Sequence, residues 1–258
     1  MIRWERRGAI GVAVIDRPER RNALDASLCD DLSVCLRDAR GLRAVVIGGA
    51  GDKAFCAGAD LGRRAADAAG GLEHGGGDTF RPAFEALLDA IVDSPAPVIA
   101  AVNGAALGAG MQLAVACDLR VVAPHATFGI PAARLGVVLS ASNIARLAMV
   151  VGQATARDVL LSARTLTIDE AERVGLVQRR ADDALAASCA LGEEIAALAP
   201  LSVSAHKRAL NLVAAATAVG DDARAEMIRL EGQAFASDDL REGLSAFAER
   251  RTPSFEGH

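Results

Sequence analysis

The sequence predicts an α/β fold, in which a sheet is covered by helices and a helical region follows it at the C-terminus. A continuous apolar run at Val98–Val102 is of strand length, and an Ala/Leu/Met helix begins after it near Ala109. The pattern between Gly11 and Gly48 also predicts a strand, a helix and a second strand. From Asp182 onward the apolar spacing is wholly helical. Strands that alternate with helices indicate the α/β class.

The first predicted unit contains a strand, a polar turn, a helix and a second strand. Pro18 fixes the backbone of the turn, Asn22 is the expected N-cap of the helix, and Gly41 ends it. The second strand is apolar at successive positions, as a sheet buried on both faces requires. The ranges are Gly11–Ile15 for the first strand, Asp16–Asn22 for the turn, Leu24–Ala39 for the helix and Ala44–Gly48 for the second strand.

A loop rich in glycine and alanine follows, from Gly49 to Gly62. Its small side chains allow a ligand to approach the main chain, so peptide groups are expected to make the contacts. Residues 63–80 consist mostly of alanine, glycine and charged residues, which predicts a mobile loop. His74 lies within this loop, and we assign it no role.

The segment from Val98 to Asp118 is the centre of the predicted site. Gly104 and Gly108 separate its strand from the helix that begins near Ala109. The first amides of a helix have no partner within the helix and lie at the positive end of its dipole. These amides can therefore bind a negatively charged oxygen of a ligand.

The rest of the chain is predicted from shorter patterns. After a helix at Phe84–Val92 and the central segment, we expect the elements to lie at Leu119–Ala123 (strand), 143–175 (short helices) and Leu176–Val177 (strand). The last 60 or so residues form a helical appendage that packs on the body or on neighbouring subunits. We divide the chain into a core at residues 1–198 and a helical region at residues 199–258.

Composition limits the classes of partner and location. The 258 residues carry a formal charge of -5, and the pI is about 5.5, so there is no overall attraction to nucleic acid. The N-terminus lacks the apolar segment of a signal peptide, and the uncharged stretch Ser94–Cys117 contains prolines and glycines that favour buried core over a membrane span. The five cysteines form no metal-ligand spacing, and their odd number suits a reducing compartment. We therefore expect a cytoplasmic protein that has neither a bound metal nor a cofactor.

Three motifs, taken together and in order, carry a family resemblance. They are Asp16-Arg-Pro-Glu-Arg-Arg-Asn-Ala-Leu24, Phe55-Cys-Ala-Gly-Ala-Asp-Leu61, and Asn103-Gly-Ala-Ala-Leu-Gly-Ala-Gly110 followed by Cys117-Asp118. In this order they resemble the enoyl-CoA hydratase/isomerase family, the crotonase superfamily. The likeness extends through Thr127–Pro131 to the segment Ser237–Phe247, so it covers nearly the whole chain.

The resemblance implies a crotonase (ClpP-like) spiral of β-β-α repeats with a C-terminal helical trimerisation region. It also implies a homotrimer or a dimer of trimers, and an acyl-CoA or enoyl-CoA ligand. The family's two oxyanion-hole amides fall on Ala59 and Ala109, and the carbonyls that accept from the adenine amino group fall on Ala57 and Ala59. The neighbouring residues expected to contact the CoA thioester are Asp60, Leu61, Gly62 and Gly108, and Arg250 occupies the place of a cation near the CoA phosphates.

The chain departs from the family at the acid/base positions. Hydratases of the family use two glutamates to hold and activate water, and the matching residues here are Gln112 and Ala132. Neither residue can take a proton. Isomerases rely on a carboxylate at the second position, and dienoyl isomerases use an aspartate near Ser140, so those activities lack their expected groups as well.

Five residues are candidate substitutes for the missing glutamates, namely Asp60, Arg134, Ser140, Ser142 and Asn143. Asp60 is also interpreted as a structural anchor of its loop, Asp118 as a hydrogen-bonding group at a strand start, and the two serines with Asn143 as helix-capping groups. Two functions remain open. One is an acyl-CoA-binding protein of lipid metabolism that hydrates poorly or not at all and acts as a carrier, a sensor or a partner of other lipid enzymes. The other is an enzyme, either a hydratase or isomerase that uses substitute residues or one that uses the oxyanion hole for another thioester reaction.

Overall fold

The computed structural model describes residues 1–61, 79–216 and 220–257. The predictions for Gly62, for His74 and for a mobile loop over residues 63–78 lie outside these ranges. Within them the predicted α/β fold is confirmed, because two mixed sheets are flanked by helices.

Ten strands form the two sheets. The six-stranded sheet has the order β1-β2-β3-β5-β7-β10, and the four-stranded sheet has the order β4-β6-β8-β9, with bounds as follows: β1 Ile2–Arg7, β2 Ile10–Ile15, β3 Ala44–Gly49, β4 Ala54–Cys56, β5 Val98–Val102, β6 Ala105–Leu107, β7 Leu119–Val122, β8 Thr127–Gly129, β9 Thr165–Thr167 and β10 Arg179–Arg180. The pairs β1–β2 and β8–β9 are antiparallel, and the other pairs are parallel.

Nine helices are described, together with 3₁₀ turns at Pro18–Arg20 and Pro131–Leu135: α1 Ala26–Asp38, α2 Phe80–Asp93, α3 Ala109–Ala116, α4 Ala141–Ser162, α5 Ile168–Arg173, α6 Ala184–Ala196, α7 Pro200–Ala216, α8 Asp221–Ala236 and α9 Asp238–Glu249. The helix α4 is broken at Gly152, whose φ of 78° and ψ of 156° are not helical.

From β3 to β8, successive strands alternate between the two sheets. β3 joins the larger sheet and β4 the smaller one, and the pairs β5/β6 and β7/β8 repeat this division. A helix follows each of the latter two pairs. This alternation is the predicted spiral of β-β-α repeats, and it places the ends of β4 and β6 side by side at the start of α3.

The central strands β2, β3 and β5 of the larger sheet are buried on both faces. On β2, Ala13 and Ile15 face the main core with α1 and α2, whereas Val12 and Val14 face a second cluster that α6 covers through Leu191. This explains why the strands are continuous apolar runs without alternating polar residues.

Some predicted boundaries are wrong. Asn22 does not cap α1, because Asp25 is the N-cap and its side chain accepts a hydrogen bond from the amide of Leu28. Asn22 is instead fully buried, and it donates to the carbonyls of Ala50 and Ala54 at 2.9 Å and 2.7 Å. The turn therefore uses this side chain to bind the segment that precedes and begins β4.

Two further corrections concern residues near the ends of elements. Leu176–Val177 is not a strand, because the pairing with β7 begins three residues later at Arg179. The helix α2 begins at Phe80, four residues before the predicted start at Phe84. Phe80 and Phe84 are both buried, and their rings stack with centroids 5.3 Å apart, which stabilises this additional turn.

Across the described ranges, no single helix has the length and apolar composition to span a membrane. The pair Ala184–Ala196 and Pro200–Ala215 passes that test jointly, by length and composition only, and is bent by 111°.

Candidate functional site

A cavity of about 730 Å³ lies where the loop after β4, the start of α3 and the 3₁₀ turn Pro131–Leu135 meet. Most of its wall is apolar, and the C-terminal region contributes Phe235 and Phe247. Among the predicted site residues, those that line it are Ala57, Ala59, Asp60, Leu61, Gly108, Ala109, Gln112, Ala132, Arg134 and Ser140.

The peptide of Ala59 is presented to this cavity by a parallel bridge to Leu24. The amide of Leu24 donates to the carbonyl of Gly58 at 2.8 Å, and the carbonyl of Leu24 accepts from the amide of Asp60 at 2.7 Å. Ala59 lies between Gly58 and Asp60, the two residues that bond to Leu24. In a parallel bridge such an intermediate residue directs its own amide and carbonyl away from the neighbouring strand. The amide of Ala59 therefore has no hydrogen bond within the described chain and is available to a ligand.

The amide of Ala109 is the second donor of the cavity. Ala109 is the first residue of α3, so its N–H has no partner within the helix. Gly58 lies against it, because a Cβ placed on Gly58 would be 3.7 Å from the Ala109 nitrogen and 3.0 Å from the Leu107 carbonyl oxygen. Gly58 also has a φ of 112°, which favours glycine. The two amides therefore belong to main-chain segments in close contact.

Asp60 is held by cations on the turn after β2. One oxygen of its carboxylate lies 3.2 Å from Arg17 Nη2, and the other lies 3.8 Å from Arg20 Nη1. Arg17 also contacts Asp25 at 3.3 Å, which connects the cap of α1 to the same loop. The Asp60 side chain is only 8% exposed, so the structural interpretation of Asp60 as a loop anchor is confirmed.

The remaining predicted binding groups are divided between the cavity and the surface. The carbonyls of Ala57 and Ala59 accept no hydrogen bond within the described chain, and both residues line the cavity. Arg250 is exposed at the C-terminal end of α9 and does not line the cavity as the described residues form it. The structure thus brings the main-chain groups together and leaves Arg250 apart.

Two cavity positions carry the residues expected to be glutamates in a hydratase. The Gln112 side chain makes no hydrogen bond within the described chain, and Ala132 presents a methyl group. Arg134 is exposed at the rim. The site therefore offers two hydrogen-bond donors for a negative oxygen but no carboxylate at either of these positions.

Two carboxylates of the cavity were not predicted from the sequence, and the first is that of Glu85 on α2. Its Oε1 accepts hydrogen bonds from Ser140 Oγ at 2.9 Å and from Asn143 Nδ2 at 2.8 Å. Ser140 precedes α4 but makes no capping bond to it, so the capping interpretation of Ser140 is wrong. Burial raises the pKa of Glu85, and the bond from Ser140 opposes that rise in part. No sequence signal separates Glu85 from the other polar residues of its helix.

A second missed carboxylate, Glu231 on α8, pairs with Arg81 at 2.9 Å. The Arg81 guanidinium also lies 5.2 Å from the centre of the Phe235 ring. These contacts attach α8 to α2 along one wall of the cavity.

Cys56 is not a reactive group of the site. Its thiol is fully buried beneath the loop, and burial raises the pKa of Cys56 to about 12. A thiol in this state is neutral near pH 7 and acts as packing.

Comparisons with known proteins agree with this arrangement. The model of the enoyl-CoA hydratase/isomerase family matches residues 5–258. A probable enoyl-CoA hydratase of Mycobacterium tuberculosis is 40% identical over 254 residues, covering 94% of each chain. A carnitinyl-CoA dehydratase of Salmonella arizonae is 34% identical over 265 residues, covering 100% of this chain and 98% of that protein. The crystal structure of a carnitinyl-CoA hydratase from Mycobacterium avium superposes with a TM-score of 0.83 at 34% identity, covering 100% of this chain and 98% of the other.

Proposed function

We propose that this chain, which belongs to the enoyl-CoA hydratase/isomerase family, binds acyl-CoA thioesters with the thioester oxygen between the amides of Ala59 and Ala109. The observation that carries the proposal is the pair of amides at one cavity wall that have no hydrogen-bond partner among the described residues. Each would donate one hydrogen bond to the oxygen. In a site that excludes water, such donors stabilise developing negative charge strongly.

The same loop would bind the adenine end of CoA. The carbonyls of Ala57 and Ala59 are available acceptors for an amino group, and Asp60 stays engaged with Arg17, which fixes the loop. Leu61, Gly62 and Gly108 complete the proposed contact set. We assign Arg250 to the CoA phosphates only by its place in the family pattern, since it lies outside the cavity.

We further propose that hydration of enoyl-CoA is impaired. Addition of water requires a base for the water and an acid for the α-carbon, and neither Gln112 nor Ala132 titrates. Loss of one such group costs about 10² to 10⁴ in rate, and groups that act as a unit are not additive. The protein would then hold an acyl-CoA as a carrier, a sensor or a partner of other lipid enzymes.

The second candidate function is an active hydratase or isomerase that uses a substitute residue. The names of similar proteins favour it, since several are called probable enoyl-CoA hydratases. The carboxylate of Glu85 favours it as well, because Glu85 lines the same cavity.

Calorimetry with a saturated acyl-CoA tests the first proposal, together with a hydration assay on crotonyl-CoA and on a long-chain enoyl-CoA. We expect saturable binding to the wild type and to Gln112→Ala, because main-chain groups provide the anchor. Absence of binding at millimolar ligand would refute the binding site. Hydration at ordinary enzyme turnover would refute the impaired mechanism and favour the second candidate.

A further inference from the structure

Three carboxylates line the cavity in the part of the chain that the structure describes, namely those of Asp60, Glu85 and Glu231. Asp60 pairs with Arg17, and Glu231 pairs with Arg81. Among the described residues, no cation lies within 4.0 Å of the Glu85 carboxylate, so none of them neutralises its charge by direct contact. It is the carboxylate most able to act on a bound ligand.

The two oxygens of Glu85 are in different environments. Oε1 accepts from Ser140 and Asn143, both of which are neutral donors, and Asn143 in turn accepts from Arg146 Nη1 at 2.7 Å. Oε2 accepts no hydrogen bond from the described residues. The carboxylate is thus held at one oxygen while the other keeps its lone pairs. A ligand in the cavity shares one continuous space with Glu85 and with the amides of Ala59 and Ala109.

We propose that Glu85 is a catalytic base of this site, which removes a proton from the α-carbon of a bound acyl-CoA and returns it. This inference rests on the proposed thioester binding. The carboxylate takes the proton, the C–H electron pair becomes the Cα–C1 double bond, and the C1=O pair moves to the oxygen held by the two amides. In deuterated water the protonated Glu85 exchanges its proton with solvent and delivers a deuteron to Cα. The net change is one C–H and one D₂O converted to one C–D and one HOD.

The surroundings of Glu85 suit this role. The charged groups that face it are Asp89 on its own helix, Arg146 on α4 and Glu231 on α8. Burial raises its pKa, Asp89 and Glu231 act in the same direction, and Ser140 and Arg146 oppose them. A base whose pKa lies closer to neutrality transfers protons more effectively at cellular pH. A single base also suffices for exchange, whereas hydration needs two groups.

The test is deuterium incorporation at Cα of a saturated acyl-CoA in D₂O, followed by NMR or mass spectrometry, with binding measured separately by calorimetry. We expect the wild type to exchange, and Glu85→Gln to bind within about twofold but to exchange at least about 10²-fold more slowly. The matched control is Asp93→Asn, the same change on an exposed residue of the same helix, which should leave exchange unchanged. The wild-type rate should fall as the pH drops through the raised pKa of Glu85, above the usual range for glutamate.

Each outcome separates the two proposals. If the wild type binds but does not exchange, or if Glu85→Gln exchanges as fast as the wild type, the assignment of Glu85 is wrong while thioester binding stands. If calorimetry shows no binding by the wild type, both proposals fail. If Glu85→Gln does not fold, the pH dependence of deuterium exchange by the wild type is the deciding measurement. An exchange rate that does not change between about pH 4 and pH 8 would overturn the assignment of Glu85.

Discussion

Gln112 and Ala132 occupy the two cavity positions at which a hydratase of the family is expected to carry glutamates. Both residues lie on the wall of a cavity that also presents the main-chain amides of Ala59 and Ala109. These two main-chain donors are retained when either side chain is substituted, so the residues at the acid/base positions can be changed separately.

Restoring both carboxylates tests this separation. We expect Gln112→Glu with Ala132→Glu to create detectable hydration of crotonyl-CoA, because in the proposed site the amides of Ala59 and Ala109 would donate to the developing negative charge. Either single change should have little effect, since one glutamate cannot both hold the water and manage its proton. A folded double variant that binds acyl-CoA but hydrates no faster than the parent would show that the wall near Arg134 leaves no place for the water.

Gly110 sets the distance between α3 and β4. A Cβ at this position would lie 2.0 Å from the carbonyl oxygen of Cys56, so Gly110→Ala must displace the helix start. We expect a loss of about 3 kcal/mol in the free energy of unfolding and weaker acyl-CoA binding. Urea unfolding measures the first effect and calorimetry the second. Gly232→Ala on α8 is the control, because a Cβ there meets nothing within 4 Å; equal losses in both variants would contradict this explanation.

Residue positions were predictable where a motif is local and not where a cluster is assembled by folding. Ala59 and Ala109 each follow a glycine in a recognisable segment, and the structure places both on the cavity wall. Their role as donors to a ligand oxygen stays a prediction. Glu85 could not be identified in sequence, because its partners Ser140 and Asn143 lie 55 and 58 residues further along the chain. Nothing in the spacing of an amphipathic helix shows which of its polar residues will face a cavity.

At the scale of elements, the buried apolar strands were predictable, whereas the three-residue strands and the mostly exposed strand β1 were not. β2, β3 and β5 are buried on both faces and appear as apolar runs, whereas β4, β6, β8 and β9 contain three residues each. Such short strands exist because a neighbour in the smaller sheet pairs with them. Their sequences carry too few residues for a period of two to be visible.

The helix α7 is fastened to the core by Lys207. Its Nζ donates to the carbonyls of Ile91 and Ala96 at 3.0 Å and 3.2 Å and to Asp118 Oδ2 at 2.8 Å, and the side chain is 6% exposed. Asp118 also accepts from the amide of Val98 at 2.7 Å, as predicted for a strand start.

We expect Lys207→Met to lower the free energy of unfolding by about 2 to 4 kcal/mol, because it leaves a partly buried carboxylate and two carbonyls without their donor. Chemical denaturation followed by circular dichroism measures this loss. Arg208→Met removes an exposed charge on the same helix and should change stability by less than about 0.5 kcal/mol. Equal effects of the two variants would show that Lys207 contributes no more than a surface cation.

At the scale of the whole molecule, large apolar side chains remain exposed on the C-terminal helices. On α7 and α8 the exposed ones are Leu201, Leu210, Leu212, Val213, Ile228 and Leu230, with Leu201 84% exposed. We propose that these faces are covered by other copies of the chain, and that the division between residues 1–198 and 199–258 reflects assembly. The helical region is also part of the candidate site, since Phe235 and Phe247 line the cavity.

The family resemblance implies trimers, or trimers paired into hexamers, and burial of the exposed apolar side chains would stabilise such a closed oligomer. Multi-angle light scattering at micromolar concentration measures the mass. Leu210→Asp should shift the population toward smaller species, because it places a charge on a 70% exposed leucine of α7. A wild type that is only monomeric would contradict the proposal.

The bridge between Leu24 and Ala59 also has a consequence for biosynthesis. The Ala59 amide needs Leu24 behind it, the Ala109 amide lies 50 residues further on, and the phenylalanines of the wall come from the last two helices. A nascent chain therefore has no complete pocket until its final helices have left the ribosome. An acyl-CoA present during translation would stabilise only finished molecules, so ligand supply would set the survival of new protein without influencing its earlier folding steps.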